Sequence, residues 1–188
     1  MRSYRSILLV IAAGAGALAA KQLPLHSNGP QPGHTGGFGE PTCRACHFEY
    51  ALNEGDASIR LDSLPESYEP ARTYTLRLVV RHAELKRGGF QLTARYEDGA
   101  AAGTFEIPDT ARLRVQETKG ITYLSHTAAG SRLVDRDSVV WRFNWLAPAG
   151  DRRIVFNAAV NVANDDASEF GDRIYTREFF SGGERVRK

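Results

Sequence analysis

The chain reads as an all-β protein, an antiparallel Ig-like β-sandwich entered through a Gly/Pro-rich N-terminal arm, and three observations predict this. Several segments alternate apolar and polar residues with period two, the mark of half-buried strands. Turn-forming residues punctuate the intervals between them. The stretch 21–55 carries neither pattern and is rich in glycine and proline instead.

The elements follow in order. Residues 1–20, MRSYRSILLVIAAGAGALAA, have a basic start at Arg2 and Arg5, a short apolar run from Ile7 to Ala13, and Ala17-Leu18-Ala19 as an A-x-A site. This is the pattern of a cleavable export signal, cut after Ala19 or Ala20. The run is broken by Gly14 and Gly16, and a spanning helix needs about 20 mainly apolar residues. The mature chain is therefore expected to lie outside the cytoplasm, periplasmic or secreted, with no transmembrane segment. Removing the leader takes away Arg2 and Arg5, so the 24 basic and 22 acidic residues become equal in number. A neutral chain with scattered charge has no footprint for nucleic acid.

In the arm, Pro24, Pro30, Pro32 and Pro41 with Gly29, Gly33, Gly36, Gly37 and Gly39 prevent a continuous helix or strand. The arm is either a loose linker or a wrap around a bound group. One or two helical turns are expected over Phe48–Glu54, closed by Gly55. The strands come next. Ser58–Asp62 is a short one. Thr73–Arg81 sets Tyr74, Leu76, Leu78 and Val80 opposite Thr75 and Arg77. Phe90, Leu92, Ala94 and Tyr96 alternate with Gln91, Thr93 and Arg95. Gly103–Ile107 and Arg112–Glu117 are shorter candidates. Val139, Trp141, Phe143 and Trp145 form one stripe, and Ile154, Phe156, Ala158, Val160 and Val162 another. Arg173–Phe180 is the last strand, and 182–188 is a basic tail. Each strand is expected to turn its polar face outward. The Trp141-Phe143-Trp145 stripe reads as core, because large rings fill sandwich interiors.

The chemistry is concentrated in Cys43-Arg44-Ala45-Cys46-His47. These are the only two cysteines of the chain. C-x-x-C-H is the attachment motif of c-type haem. The thiols of Cys43 and Cys46 form thioethers to the haem, and His47 is placed as proximal iron ligand. One haem c is the expected cofactor. The only methionine is Met1, which leaves with the signal, so the sixth ligand is not methionine. Among His26, His34, His82 and His126, the first choice is His126, in Tyr123-Leu124-Ser125-His126-Thr127, presented from a loop of the sandwich. His34, on the arm, is second. His82 is expected to be solvent-exposed, and His26 to lie near the mature terminus. Zinc on Cys43, Cys46, His47 and His34 is a rival reading, as is a small-loop disulfide. A thioredoxin-like dithiol lacks its βαβ context.

Other signals are weak. Asp165, Asp166, Glu169 and Asp172 lack the ordered spacing of a calcium loop and read as a solvated acidic stretch. No G-x-S-x-G elbow and no phosphate-binding glycine loop occurs. The chain is not expected to be an enzyme, although an open-site haem enzyme or sensor is a third reading.

Several segments together resemble bacterial Reeler-like domains. They are Leu64-Pro65-Glu66-Ser67-Tyr68-Glu69-Pro70 leading to Tyr74, Gly89-Phe90-Gln91-Leu92-Thr93-Ala94, Ala102-Gly103-Thr104-Phe105, and Ser125-His126-Thr127. Phe143-Asn144-Trp145-Leu146-Ala147-Pro148, Phe156-Asn157-Ala158-Ala159 with Val162-Ala163-Asn164, and Gly171-Asp172-Arg173-Ile174-Tyr175-Thr176 follow in the same order. The resemblance covers roughly Asp56 to Phe180. It implies a sandwich over 56–181, and the glycine-rich lead-in Gly36–Thr42 before C-x-x-C-H resembles that of bacterial members. Ala71 departs from the glycine usual after Pro70, and the chain ends without the sorting tail of many relatives. The expectation is an exported monohaem cytochrome-like electron-transfer protein with an unidentified redox partner. The alternative is an extracytoplasmic binding or adhesion sandwich in which the group at Cys43–His47 is structural.

Overall fold

The computed structural model describes residues 28–182. The expected leader, His26 and nearly all of the basic tail lie outside these residues. Nine strands form two antiparallel sheets: β1 (Ser58–Asp62), β2 (Thr73–Arg81), β3 (Arg87–Tyr96), β4 (Thr104–Glu106), β5 (Leu113–Thr118), β6 (Ile121–His126), β7 (Ser138–Leu146), β8 (Ile154–Ala163) and β9 (Arg173–Ser181). One sheet runs β1-β2-β7-β4 and the other β5-β6-β3-β8-β9. The expected all-β sandwich is what the chain forms.

The core lies between the sheets and is built by the period-two stripes. Val139, Trp141, Phe143 and Trp145 of β7 are all fully buried, facing Phe90 and Leu92 of β3 and Phe156, Ala158 and Val160 of β8. Phe90 lies 4.3 Å from Trp141 and Trp145 5.0 Å from Phe156, ring centre to ring centre. Both indoles find an acceptor: Trp141 Nε1 donates to Gly130 O at 2.8 Å and Trp145 Nε1 to Ala102 O at 3.1 Å. The two tryptophans thus enter the core without stranding a polar atom, whereas the buried Tyr175 hydroxyl has no partner.

Three expectations are corrected. First, the polar residues of β3 face outward as expected but are not solvated: Gln91, Thr93 and Arg95 are buried. The arm covers them. Gln91 Nε2 donates to Gln31 O at 3.0 Å, and its Oε1 accepts from the His34 N–H at 2.6 Å. Arg95 pairs with Glu40, which also accepts from Tyr123 Oη and, at 2.5 Å, from Thr35 Oγ1. Gly37 lies so close that a Cβ there would overlap the Asn157 side chain. The arm is a cover for the five-stranded sheet, not a linker.

Second, Phe48–Glu54 is not helical. Asn53 instead ties the segment to β9, an edge strand with unpaired groups. Asn53 N–H donates to Ile174 O at 2.9 Å, and Asn53 Oδ1 accepts from the Thr176 N–H at 2.8 Å. The helical turn lies instead at Cys43–Ala45. Third, His82 is buried, not exposed. Its Nδ1 accepts from the Glu84 N–H at 3.1 Å, and its ring lies beside Tyr175.

Candidate haem-binding site

The motif is held on one tight 3-10 turn. Thr42 caps it, its Oγ1 accepting from the Arg44 N–H at 3.1 Å. Cys43 O accepts from the Cys46 N–H at 3.2 Å and the His47 N–H at 3.0 Å. Residues three apart eclipse on a 3-10 turn, which brings Cys43 and Cys46 to one side, and His47 follows directly; all three line the cleft described next. Both cysteines are free thiols. The disulfide reading is not what the structure forms. Among the described residues no group of three or more His, Cys, Asp or Glu side chains is arranged to hold a metal ion. His34 therefore does not complete the four-ligand zinc set.

The turn forms one wall of a cleft of about 280 Å³. The floor is the end of the five-stranded sheet: Gly88, Gly89 and Phe90 of β3, His126 of β6, and Asn161 and Ala163 of β8. Pro30, Gln31 and His34 of the arm close a second side, and the loop from Asn164 to Ser168 with Asp172 a third. Cys43, Cys46, His47, His34 and His126, far apart in sequence, thus line a single space.

His126 does not sit in a loop. It ends β6, at the point where the β3–β6 ladder stops after Gln91↔Ser125 and Leu92↔Leu124. Its ring occupies the next rung. Nδ1 lies 2.9 Å from the Phe90 N–H nitrogen and 3.2 Å from Phe90 O. Burial pushes its pKa down to about 4, so the imidazole is neutral at physiological pH, the form that ligates metals. The opposite edge of the ring faces Gly89, where a Cβ would meet His126 Cε1 at 3.0 Å. Gly89 keeps that edge of the cleft open.

His47 Nδ1 lies 2.8 Å from Asp172 Oδ2. The contact is at ion-pair separation without hydrogen-bond alignment, and Nδ1 has no other partner. Asp172 is buried. Its Oδ2 accepts from Asn161 Nδ2 at 2.9 Å and its Oδ1 from the Asn164 N–H at 3.1 Å. The acidic stretch is therefore not uniformly solvated. Asp165 and Asp166 are exposed, Asp165 paired with Arg87, but Asp172 is part of the site. Nothing in its local sequence distinguishes Asp172 from its acidic neighbours.

The donor set fits a c-type haem. Two thiols and an imidazole from one short segment line the same space as a neutral histidine and a glycine cradle, with Phe90 and Ala163 as apolar floor and Asn161 as a polar one. At about 280 Å³ the cleft falls just below the range of small-molecule clefts, about 300–1,000 Å³, and it does not enclose a group of macrocycle size. The Cys43 thiol, desolvated by burial, is pushed up to about 12, whereas Cys46 is exposed. Since the thiolate is the reactive form, haem-free protein is expected to take up one equivalent of iodoacetamide at Cys46 well before Cys43. Peptide mapping of a partial reaction checks this, and equal labelling contradicts it.

No family model matches the sequence, and no curated protein matches it. Among solved structures, the reelin-N domain of F-spondin is 22% identical and covers 75% of this chain and 96% of its own, with a TM-score of 0.50. The human F-spondin reeler domain is 20% identical, covering 70% of this chain and 94% of its own, with a TM-score of 0.47. A cohesin module from a family 33 glycoside hydrolase of Clostridium perfringens is 12% identical, covering 69% of this chain and 98% of its own, with a TM-score of 0.41. Among the described residues no helix is long and apolar enough to cross a membrane. The fold is therefore a Reeler-like β-sandwich, carrying the Cys43–His47 turn on an arm docked against one sheet.

Proposed function

We propose that the cleft holds one covalently attached haem c and that the protein is an exported monohaem electron carrier, not an enzyme. One observation carries the reading: the motif residues Cys43, Cys46 and His47 and both candidate distal histidines line the same cleft. When bound, the haem supplies reversible one-electron iron chemistry. Cys43 and Cys46 supply the thioether sulfurs. His47 offers its Nε2 as proximal ligand, and neutral His126 is the preferred distal ligand, with His34 second. Pro30, Gly88, Gly89 and Phe90 line the cleft and would keep water from a group held there, lowering its local dielectric. A partner protein would approach from the side where Cys46 is exposed.

A binding or adhesion role is the second reading, and one observation favours it. The core between the sheets is built without any residue of the motif, as a sandwich that folds without a cofactor requires. In that case the group at Cys43–His47 fastens the arm.

The deciding experiment is haem staining on a denaturing gel, with a reduced-minus-oxidised spectrum, after maturation in a host with a haem-attachment system. Covalent haem with a six-coordinate low-spin spectrum is expected. A stable, exported protein without covalent haem rejects the carrier reading and leaves the binding module.

A further inference from the structure

We infer that Asp172 is the positioning residue of the proximal histidine: it engages His47 by Nδ1, leaves Nε2 as the nitrogen offered to the cleft, and lowers the reduction potential of an iron bound there. The inference rests on the haem reading above.

Asp172 is 3% exposed. A buried carboxylate is costly unless it is paired and hydrogen-bonded. Here the hydrogen bonds come from two neutral donors, Asn161 Nδ2 and the Asn164 N–H. Its chain neighbour Arg173 turns away to Glu54 and Glu84. Among the described residues His47 is the one basic side chain at ion-pair distance from Asp172. The carboxylate's charge is therefore directed at an imidazole whose far nitrogen belongs to the motif. A carboxylate on the free nitrogen of a metal-bound histidine fixes its tautomer and ring orientation and raises its basicity as a ligand. A more basic ligand stabilises ferric over ferrous iron. Asn161 and Asn164, from the end of β8 and the loop after it, act through Asp172 by holding its two oxygens in place.

The test is a redox titration of the matured protein and of Asp172→Asn. At a fixed applied potential the variant is expected to show about a tenfold smaller ferric-to-ferrous ratio, an upward shift of about 59 mV for one electron. Its iron–histidine stretching band should fall in frequency, and Asp172→Glu should recover part of both changes. Asn161→Ala, which frees Oδ2 from its amide donor, is expected to move the potential the opposite way. A purely structural role would not give opposite signs. Unchanged potential and band in Asp172→Asn with haem retained overturn the inference. Should Asp172→Asn not fold, a potential in Asn161→Ala equal to wild type overturns it instead. Absence of covalent haem in the wild type is failure of the haem reading itself. The inference is then judged on full-length haem-free protein by ¹⁵N NMR, where His47 should be Nδ1-protonated, and an Nε2-protonated ring refutes it.

Discussion

Truncating Arg95 to alanine is expected to lower the free energy of unfolding by about 3–5 kcal/mol and to release the arm, because it leaves a buried carboxylate without its cation. Arg95 pairs with Glu40 and donates to Tyr123 Oη at 2.6 Å, and its guanidinium lies over the Phe38 ring, 5.0 Å from its centre. Arg95 and Glu40 side chains are 7% and 14% exposed, so water replaces the lost partner only in part, and Thr35 and Tyr123 remain as neutral donors. Denaturant titration measures the loss, and limited proteolysis between Gly36 and Pro41 reports the arm. Replacing both members by apolar residues, Glu40→Met with Arg95→Leu, should cost far less, since no charge is then stranded. If Arg95→Ala melts like wild type and the arm stays protected, the ion pair does not hold the arm.

The same network makes the arm sensitive to acid. Burial pushes the Glu40 carboxyl upward, but hydrogen bonds from Thr35, Tyr123 and Arg95 and the Arg95 charge outweigh it and hold Glu40 below its ordinary value. A carboxyl depressed in the folded state adds stability that is complete above its unfolded pKa, and that stability is lost as pH falls through the folded value. Tyr123, desolvated and hydrogen-bonded to Glu40, is pushed up to about 12 and stays protonated throughout.

What the sequence could tell here follows from the range of each interaction. The β7 stripe Trp141-Phe143-Trp145 was legible because alternation within one strand already places the rings on one face. Cys43-x-x-Cys46-His47 was legible because its geometry needs only one turn. β6 was not, since Thr122 and Ser125 interrupt its apolar pattern and its pairing with β3 is long-range. The burial of Gln91 and Arg95 depends on an arm contributed more than fifty residues earlier, and alternation alone cannot report a second cover. Asp172 meets His47 across the whole sandwich sequence, so neither residue carries a local sign of the other.

Replacing His126 by alanine separates the two roles that its position allows. Its ring fills the rung where the β3–β6 ladder ends, contacting the Phe90 N–H and C=O. Nδ1 serves one of these two groups at a time, according to its tautomer, so removing the ring strands one buried backbone group at a cost of about 1–3 kcal/mol, and the haem-free variant should be less stable than wild type. The pH dependence should change as well. The unfolded histidine titrates near 6.5 and the folded one near 4. The unfolded state therefore binds the proton first, and wild-type stability drains away as pH falls from about 6.5 to about 4. His126→Ala should lack that loss. As distal ligand, His126 also controls the iron, and its removal should convert a low-spin spectrum to high-spin and let the reduced protein bind carbon monoxide rapidly. If stability falls while the low-spin spectrum persists, His126 is a sheet-terminating histidine alone and the sixth ligand lies elsewhere, with His34→Ala the next variant. If both change, one side chain closes the ladder between β3 and β6 and closes the sixth position of the iron.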